Sequence, residues 1–176
     1  MNRVYQGELL EVLKTFPDHT FHAVVTDRVI RLEDEDVRDR IRDWLENKNQ
    51  DGSCFSLAVW DEIMRVLKPG AHIIALTDVM SYANVATSLR LAGGEVRDQI
   101  DYYSSDKRPR PVDMYQYLVR LVMPPENGLL LDPFCGEGKV LEAAINEGHE
   151  VVGITNDDGD KVKAELRIRQ ALERVE

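Results

Sequence analysis

The chain has 176 residues, a length that accommodates one domain with a sizeable hydrophobic core. Hydrophobic residues make up 43% and charged residues 31%, the balance of a soluble globular protein, and no apolar run is long enough to cross a membrane. The formal net charge of −10 repels polyanions and argues against tight, unaided binding to duplex nucleic acid.

The N-terminus and the cysteines indicate the compartment. Residues 1–8 lack a basic region followed by an apolar core, so no secretory leader is expected. Cys54 and Cys135 do not make a disulfide framework, and no Cys/His cluster has zinc spacing. We therefore expect a cytoplasmic protein with reduced thiols and without a metal site.

Strand and helix patterns alternate along the chain. In chain order they predict a strand at 4–7, a helix at 9–13, a strand at 21–26, a polar helix within 32–48, a helix at 55–67, a strand at 72–76, a helix at 82–91, one or two strands within 95–103, a helix at 112–122, a strand at 129–131, a helix at 138–147, a strand at 150–154 and a helix at 160–175. Such alternation predicts an α/β fold with a mostly parallel sheet and helices on both faces.

The most informative segment is 129–139, Leu-Leu-Leu-Asp-Pro-Phe-Cys-Gly-Glu-Gly-Lys. Asp132 stands at the carboxyl end of an apolar strand, and Gly136 and Gly138 fill the turn before a helix. Ligands of open α/β sheets bind outside the carboxyl ends of the strands. Glycine there lets the backbone approach the ligand closely, and the N–H groups that begin the helix favour an anionic group. The segment therefore predicts a ligand-binding loop.

The pattern Asp-Pro-Phe-x-Gly-x-Gly resembles the S-adenosylmethionine loop of amino-methylating DNA methyltransferases. The resemblance covers essentially the whole chain in the β-type order, in which the target-base motif precedes the cofactor loop. It implies a Rossmann-like, S-adenosylmethionine-dependent methyltransferase fold that is circularly permuted, so that the N-terminal strand follows strand 150–154 in the unpermuted order. It also implies a single domain over residues 1–176 without a separate target-recognition domain.

The same resemblance assigns the cofactor, S-adenosylmethionine, to residues of the loop: Asp132, Phe134, Gly136 and Gly138. Arg110-Pro111 resembles the family's Lys-Pro, which packs against the cofactor. A Pro-started helix is also common for structural reasons alone.

Two further positions are implied to contact the cofactor. Glu8, in the pair Gly7-Glu8, stands where the family has an Asp close to the adenine; a solvated or helix-capping acid is the alternative. Thr155 stands where the family has an acid that holds both ribose hydroxyls. A threonine can make only a weaker, single contact there, unless Asp157 reaches the ribose.

The target-base motif differs most from the family pattern. Residues 26–30 are Thr-Asp-Arg-Val-Ile, whereas the family has Asp-Pro-Pro followed by an aromatic residue. The resemblance makes Asp27 the catalytic acceptor of a hydrogen bond from the target amino group. Loss of the aromatic ring at Ile30 removes base stacking worth about 1–3 kcal/mol. Arg28 could replace part of it through a cation–π contact.

Binding to DNA by the isolated chain is expected to be weak. Only residues 102–108 stand where the family inserts a target-recognition region, and residues 33–36 form the acidic run Glu-Asp-Glu-Asp. Lys107, Arg108 and Arg110 are the clustered cations that could contact phosphates. A homodimer or a partner subunit is possible.

Three functions remain open from the sequence. The first is an S-adenosylmethionine-dependent methyltransferase related to the N6-adenine or N4-cytosine DNA enzymes. The second is a catalytically inactive homologue that serves as a cofactor- or protein-binding subunit. The third is a methyltransferase with an acceptor other than DNA. The sequence does not specify the target base or the recognition sequence.

Overall fold

The computed structural model describes residues 1–27, 56–77, 79–100, 111–125 and 127–175. In these ranges five strands form one sheet: β1 (Arg3–Gln6), β2 (Phe21–Thr26), β3 (Leu67–Ala75), β4 (Leu129–Asp132) and β5 (Glu150–Thr155). The helices in the same ranges are α1 (Leu9–Leu13), α2 (Leu57–Val66), α3 (Val79–Leu91), α4 (Val112–Val122), α5 (Lys139–Asn146) and α6 (Asp158–Val175).

The strand order is β1-β5-β4-β2-β3, and every pairing is parallel. The N-terminal strand β1 lies on the outer side of β5, with Val4 opposite Gly153. This is the position that the permuted order predicts for it. The predicted α/β fold with a parallel, permuted sheet is confirmed.

Helices cover both faces of the sheet because neighbouring residues of the central strands point in opposite directions. Leu130 and Val151 belong to a buried cluster formed with α4, α5 and α6. Leu131 and Val152, one residue further along each strand, belong to a second cluster formed with α1, α2 and α3. The continuous apolar runs of β4 and β5 are therefore explained by burial on both sides.

The structure corrects two predicted elements. Strand β3 begins at Leu67 rather than at residue 72, because Leu67 already pairs with Phe21 and an irregularity between Phe21 and Ala23 absorbs the Lys-Pro-Gly segment. The strand predicted within 95–103 is wrong for residues 95–100, which are irregular and mostly exposed. Glu95, Arg97 and Asp98 leave that segment without an apolar face to bury. Residues 101–103 and the predicted helix within 32–48 lie outside the described residues.

Candidate active site

The site lies between two neighbouring strands whose connections to the next strand run toward opposite sides of the sheet. From β4 the chain crosses through α5 to β5, on the side of β1, whereas from β2 it crosses to β3 on the opposite side. The neighbours β4 and β2 therefore flank the crevice in which open α/β sheets bind ligands. Asp132 ends β4, and Asp27 follows β2. Both aspartates line one pocket, together with Tyr115, Phe134, Cys135, Glu137, Lys139 and Val140.

The loop after β4 is held in place by its own hydrogen bonds. The carboxylate of Asp132, 1% exposed, accepts a hydrogen bond from the Phe134 N–H at 3.2 Å. The Cys135 N–H donates to the carbonyl of Ile154 at 3.1 Å and ties the loop to β5. Half-buried Phe134 packs against the hydrophobic cluster on the α1 side of the sheet and also lines the pocket. The loop is thus preorganised by the sheet.

Gly136 and Gly138 both have positive φ angles, +46° and +81°, a region that favours glycine. The Gly138 N–H donates to the Cys135 carbonyl at 2.8 Å, and the Gly138 carbonyl accepts the Glu142 N–H at 2.9 Å as α5 begins. A Cβ atom at Gly138 would lie 2.8 Å from the Cβ of Ala164 in α6. Gly138 is therefore required by helix packing, whatever its role toward a ligand.

The charged groups of the pocket favour a ligand that carries positive charge. Among the described residues, three carboxylates, from Asp27, Asp132 and Glu137, line it with one cation, Lys139. Glu137 also pairs with Lys163 at 2.8 Å. The first residues of α5 add N–H groups at the same place, which favour an anionic group such as a carboxylate. A ligand with separate cationic and carboxylate groups matches this arrangement.

Asp27 has a partner that the sequence did not indicate. The hydroxyl of Tyr115, in α4, donates a hydrogen bond to the Asp27 carboxylate. The Tyr115 side chain is buried, at 1% exposure. An aromatic residue in an apolar helical pattern indicates a core position, and 88 residues separate the two partners, so no local signal points to this pair. Arg28, Val29 and Ile30 lie outside the described residues, as do the clustered cations and the acidic run 33–36.

Glu8 and Thr155 follow or end neighbouring strands and are not among the residues that line the pocket. The Gly7 N–H donates to the carbonyl of Thr155 at 3.1 Å, which places the ends of β1 and β5 at the same edge of the sheet as the pocket. Glu8 is exposed at the N-cap position of α1, but its side chain makes no capping hydrogen bond. Its carboxylate is thus a solvated one in this structure.

In this structure Asp157 takes part in the turn between β5 and α6. The Asp157 carboxylate accepts the Asp160 N–H at 2.7 Å in the first turn of α6, and the Thr155 hydroxyl accepts the Asp157 N–H at 3.2 Å. Both groups already stabilise the turn between β5 and α6.

At the other end of β4, two histidines accept backbone hydrogen bonds. His22 Nδ1 accepts the Leu129 N–H at 2.9 Å, and His149 Nδ1 accepts the Gly128 N–H at 3.3 Å. Burial, followed by repulsion from Lys68, lowers the pKa of His22 from its usual value. Burial also lowers the pKa of His149, against the attraction of Glu147. These neutral histidines support the strand from the edge opposite the pocket.

Within the part of the chain that the structure describes, no group of His, Cys, Asp and Glu could hold a metal ion. Nor does any described helix have the length and hydropathy to span a membrane.

Comparison with protein families gives one match. Residues 97–161 match the N6/N4 methyltransferase family model, which is described as DNA methylase. The matched region contains α4, the loop 132–138 and β5. No curated protein sequence matched the chain.

Solved structures match nearly the whole chain. TTHA0409 from Thermus thermophilus, assigned provisionally as a DNA modification methylase, has a TM-score of 0.72 and 18% identity over 98% of this chain and 96% of that one. Its complex with S-adenosyl-L-methionine matches with a TM-score of 0.70 over the same shares at 18% identity. M1.HpyAVI has a TM-score of 0.70 and 16% identity over 96% of this chain and 98% of that one.

A third protein is the PvuII DNA methyltransferase, described as cytosine-N4-specific. Its TM-score is 0.61, with 12% identity over 99% of this chain and 92% of that chain. At these identities the matches establish the fold. They confirm the Rossmann-like methyltransferase fold that the loop after β4 predicted.

Proposed function

We propose that this chain, a relative of the amino-methylating DNA methyltransferases, binds S-adenosylmethionine between β2 and β4 and methylates an amino group held by Asp27. The observation that carries the proposal is that Asp27 and Asp132 line the same pocket, between the carboxyl ends of β2 and β4. One carboxylate comes from the loop that resembles a cofactor site, and the other from the motif that resembles an acceptor site.

The charges of the pocket fit the proposed cofactor. S-adenosylmethionine carries a sulfonium and an ammonium, both cationic, and one carboxylate. The buried Asp132 can attract the cationic groups, and the N–H groups that begin α5 can bind the carboxylate. Glu8 and Thr155, at the adjacent ends of β1 and β5, are proposed to contact the adenosine end.

The chemistry required of the chain is limited. The bound cofactor supplies an electrophilic methyl group. When bound, it would transfer this methyl group from sulfur to the acceptor nitrogen, and the nitrogen would release its proton to solvent. Asp27 accepts a hydrogen bond from the acceptor N–H, which orients the nitrogen lone pair and stabilises the positive charge that develops on nitrogen.

We propose an exocyclic amino group of a DNA base as the acceptor, by analogy with the DNA methyltransferases that share the fold. The isolated chain should be a slow enzyme on unmodified duplex DNA. The motif after Asp27 lacks the aromatic residue that stacks on a base, and the net charge of −10 opposes binding to a polyanion.

A second function is a binding subunit without catalysis. The replacement of Pro-Pro-aromatic by Arg28-Val29-Ile30 favours it. The pocket would then still bind the cofactor, and a partner would supply the chemistry.

We also propose that residues 1–176 form a single domain, that the protein is cytoplasmic and that it forms a homodimer.

Transfer of a labelled methyl group from S-adenosylmethionine to duplex DNA tests the first function. We expect slow incorporation that Asp27→Asn abolishes and that Asp61→Asn, an exposed aspartate of α2, leaves unchanged. Incorporation that survives Asp27→Asn would contradict the assigned role. Cofactor binding without incorporation into DNA would favour the binding subunit, unless other amines accept the label.

A further inference from the structure

The carboxylate of Asp27 receives a hydrogen bond from a residue that is itself rigidly held. Tyr115 lies in the first turns of α4 and belongs to the buried cluster that includes Leu118 and Val119 of the same helix. At 1% exposure, its ring has little freedom to change rotamer. Its hydroxyl is therefore a fixed donor at the end of β2.

Sheet pairing holds the backbone of Thr26, the residue before Asp27. The Leu76 N–H donates to the carbonyl of Thr26 at 2.8 Å, which continues the pairing of β2 with β3. In the resembled family two prolines follow the aspartate, and prolines restrict the backbone. Here Arg28 and Val29 stand in their place, so this constraint on Asp27 is missing.

We infer that Tyr115 is a positioning residue for Asp27: its hydroxyl holds the carboxylate toward the pocket and replaces the constraint that the prolines give. The inference rests on the proposed function, in which Asp27 is the acceptor of the hydrogen bond. The ring cannot replace the missing base-stacking residue, because it is buried. Tyr115 thus acts through Asp27 and not on the substrate.

The hydrogen bond also sets how the carboxylate is used. Tyr115 donates to one oxygen, Oδ2, which restricts the range of orientations of the carboxylate. The N–H of the acceptor amino group can then donate to a carboxylate that is already oriented, so less orientational freedom is lost when the acceptor binds. Removal of the hydroxyl takes away this contact with Oδ2, and we expect the amino group then to be held in more than one orientation.

The test uses Tyr115→Phe, which removes the hydroxyl and keeps the ring in the core. The matched control is Tyr117→Phe, which removes an exposed hydroxyl two residues along the same helix (the Tyr117 side chain is 56% exposed). The χ1 rotamer of Asp27 is measured from three-bond couplings to its side-chain carboxyl carbon in labelled protein, with the signal assigned by Asp27→Asn.

We expect a single Asp27 rotamer in the wild type and in Tyr117→Phe, and averaged couplings in Tyr115→Phe. Identical couplings in all three proteins would overturn the inference. This readout needs neither a cofactor nor an acceptor, so it does not depend on the proposed activity. If the wild-type protein does not bind S-adenosylmethionine, the proposed function fails, but the rotamer comparison can still be made. If the protein binds the cofactor and the Asp27 rotamer is the same in Tyr115→Phe as in the wild type, only the role of Tyr115 is rejected.

Methyl transfer supplies the functional readout. Tyr115→Phe should lower kcat by about tenfold or more with the KM for S-adenosylmethionine unchanged, because a misplaced hydrogen-bond acceptor affects the chemical step. A residue that only supports the fold would instead lower thermal stability and leave kcat of the folded protein unchanged. An unchanged kcat together with an averaged rotamer would also overturn the positioning role.

Discussion

The carboxyl ends of β4 and β2 are neighbours in the sheet, yet they keep the pattern of the resembled family to different degrees. After β4, the sequence Asp132-Pro133-Phe134 and both glycines are present, and the loop is held by hydrogen bonds to itself and to β5. After β2, Asp27 alone remains of Asp-Pro-Pro-aromatic. The half of the site that would hold the cofactor is more complete than the half that would hold the acceptor.

The comparison shows how much of each half also supports the fold. Gly138 is packed against Ala164, and Phe134 packs against the core, so substitutions there would destabilise the protein even without a ligand. Residues 28–30 lie outside the described residues, so this double requirement is established for the loop after β4. A loop that serves both stability and binding is expected to tolerate few substitutions.

The largest expected effect separates the two aspartates. Asp132→Asn should weaken S-adenosylmethionine binding by about 10–100-fold, the loss expected for a hydrogen bond to a charged group. Asp27→Asn should leave that affinity nearly unchanged and lower methyl transfer by about 10³-fold. Calorimetry and a methyl-transfer assay measure the two quantities. Equal losses of affinity in both variants would mean that the pocket is not divided in this way.

A second prediction concerns the packing of the cofactor loop. Gly138→Ala should lower the free energy of unfolding by about 3 kcal/mol, since the new Cβ meets Ala164 and the backbone has positive φ. The control is Gly148→Ala, where φ is +84° but nothing lies within 4 Å, so that only the backbone strain remains, about 1 kcal/mol. Urea denaturation measures both, and equal losses would show that the contact with Ala164 does not matter.

The fold and the position of the loop after β4 were largely predictable from the sequence. The β-branched residues of β2 and the prolines on either side of α4 predicted the bounds that the structure has, 21–26 and 112–122. Asp132 was expected at the carboxyl end of a strand, and β4 ends at Asp132. The role of Tyr115 was not predictable, because its hydrogen bond depends on how α4 docks on the sheet, which no local pattern specifies.

The third prediction concerns a variant that restores the family motif on the acceptor side of the site. Replacing Arg28, Val29 and Ile30 together by Pro, Pro and Tyr should increase methyl transfer to DNA by about 10–100-fold, the value of a stacking contact of about 1–3 kcal/mol. The gain should fall steeply as salt is added if basic side chains hold the duplex. No gain would show that the acceptor side lacks more than this motif, and a gain that salt does not reduce would indicate an acceptor that is not a polyanion.

The smallest expected effect is a pH dependence of stability that arises from the two histidines at the opposite end of β4. His22 and His149 have lowered pKa values in the folded protein, so the unfolded chain binds more protons as the pH falls below the usual histidine value of 6.5. The stability that they contribute is complete above pH 6.5 and decreases as the pH falls below that value toward the folded-state pKa values. Melting temperatures should therefore decrease as the pH is lowered from 7.5 to about 5.5.

Two variants test the origin of that pH dependence. His22→Gln should flatten the profile, because it removes one of the two titrating groups. His72→Gln replaces an exposed histidine of β3 and should leave the profile unchanged. A slope that persists undiminished in His22→Gln would assign it to other groups.

The most direct measurement is calorimetric titration of the wild-type chain with S-adenosylmethionine. The account predicts saturable binding at one site per chain, weakened by Asp132→Asn and preserved in Asp27→Asn and Asp61→Asn. Absence of binding at millimolar cofactor by a folded protein would contradict it, and would leave a methyltransferase fold without the cofactor that the pocket between β2 and β4 is proposed to bind.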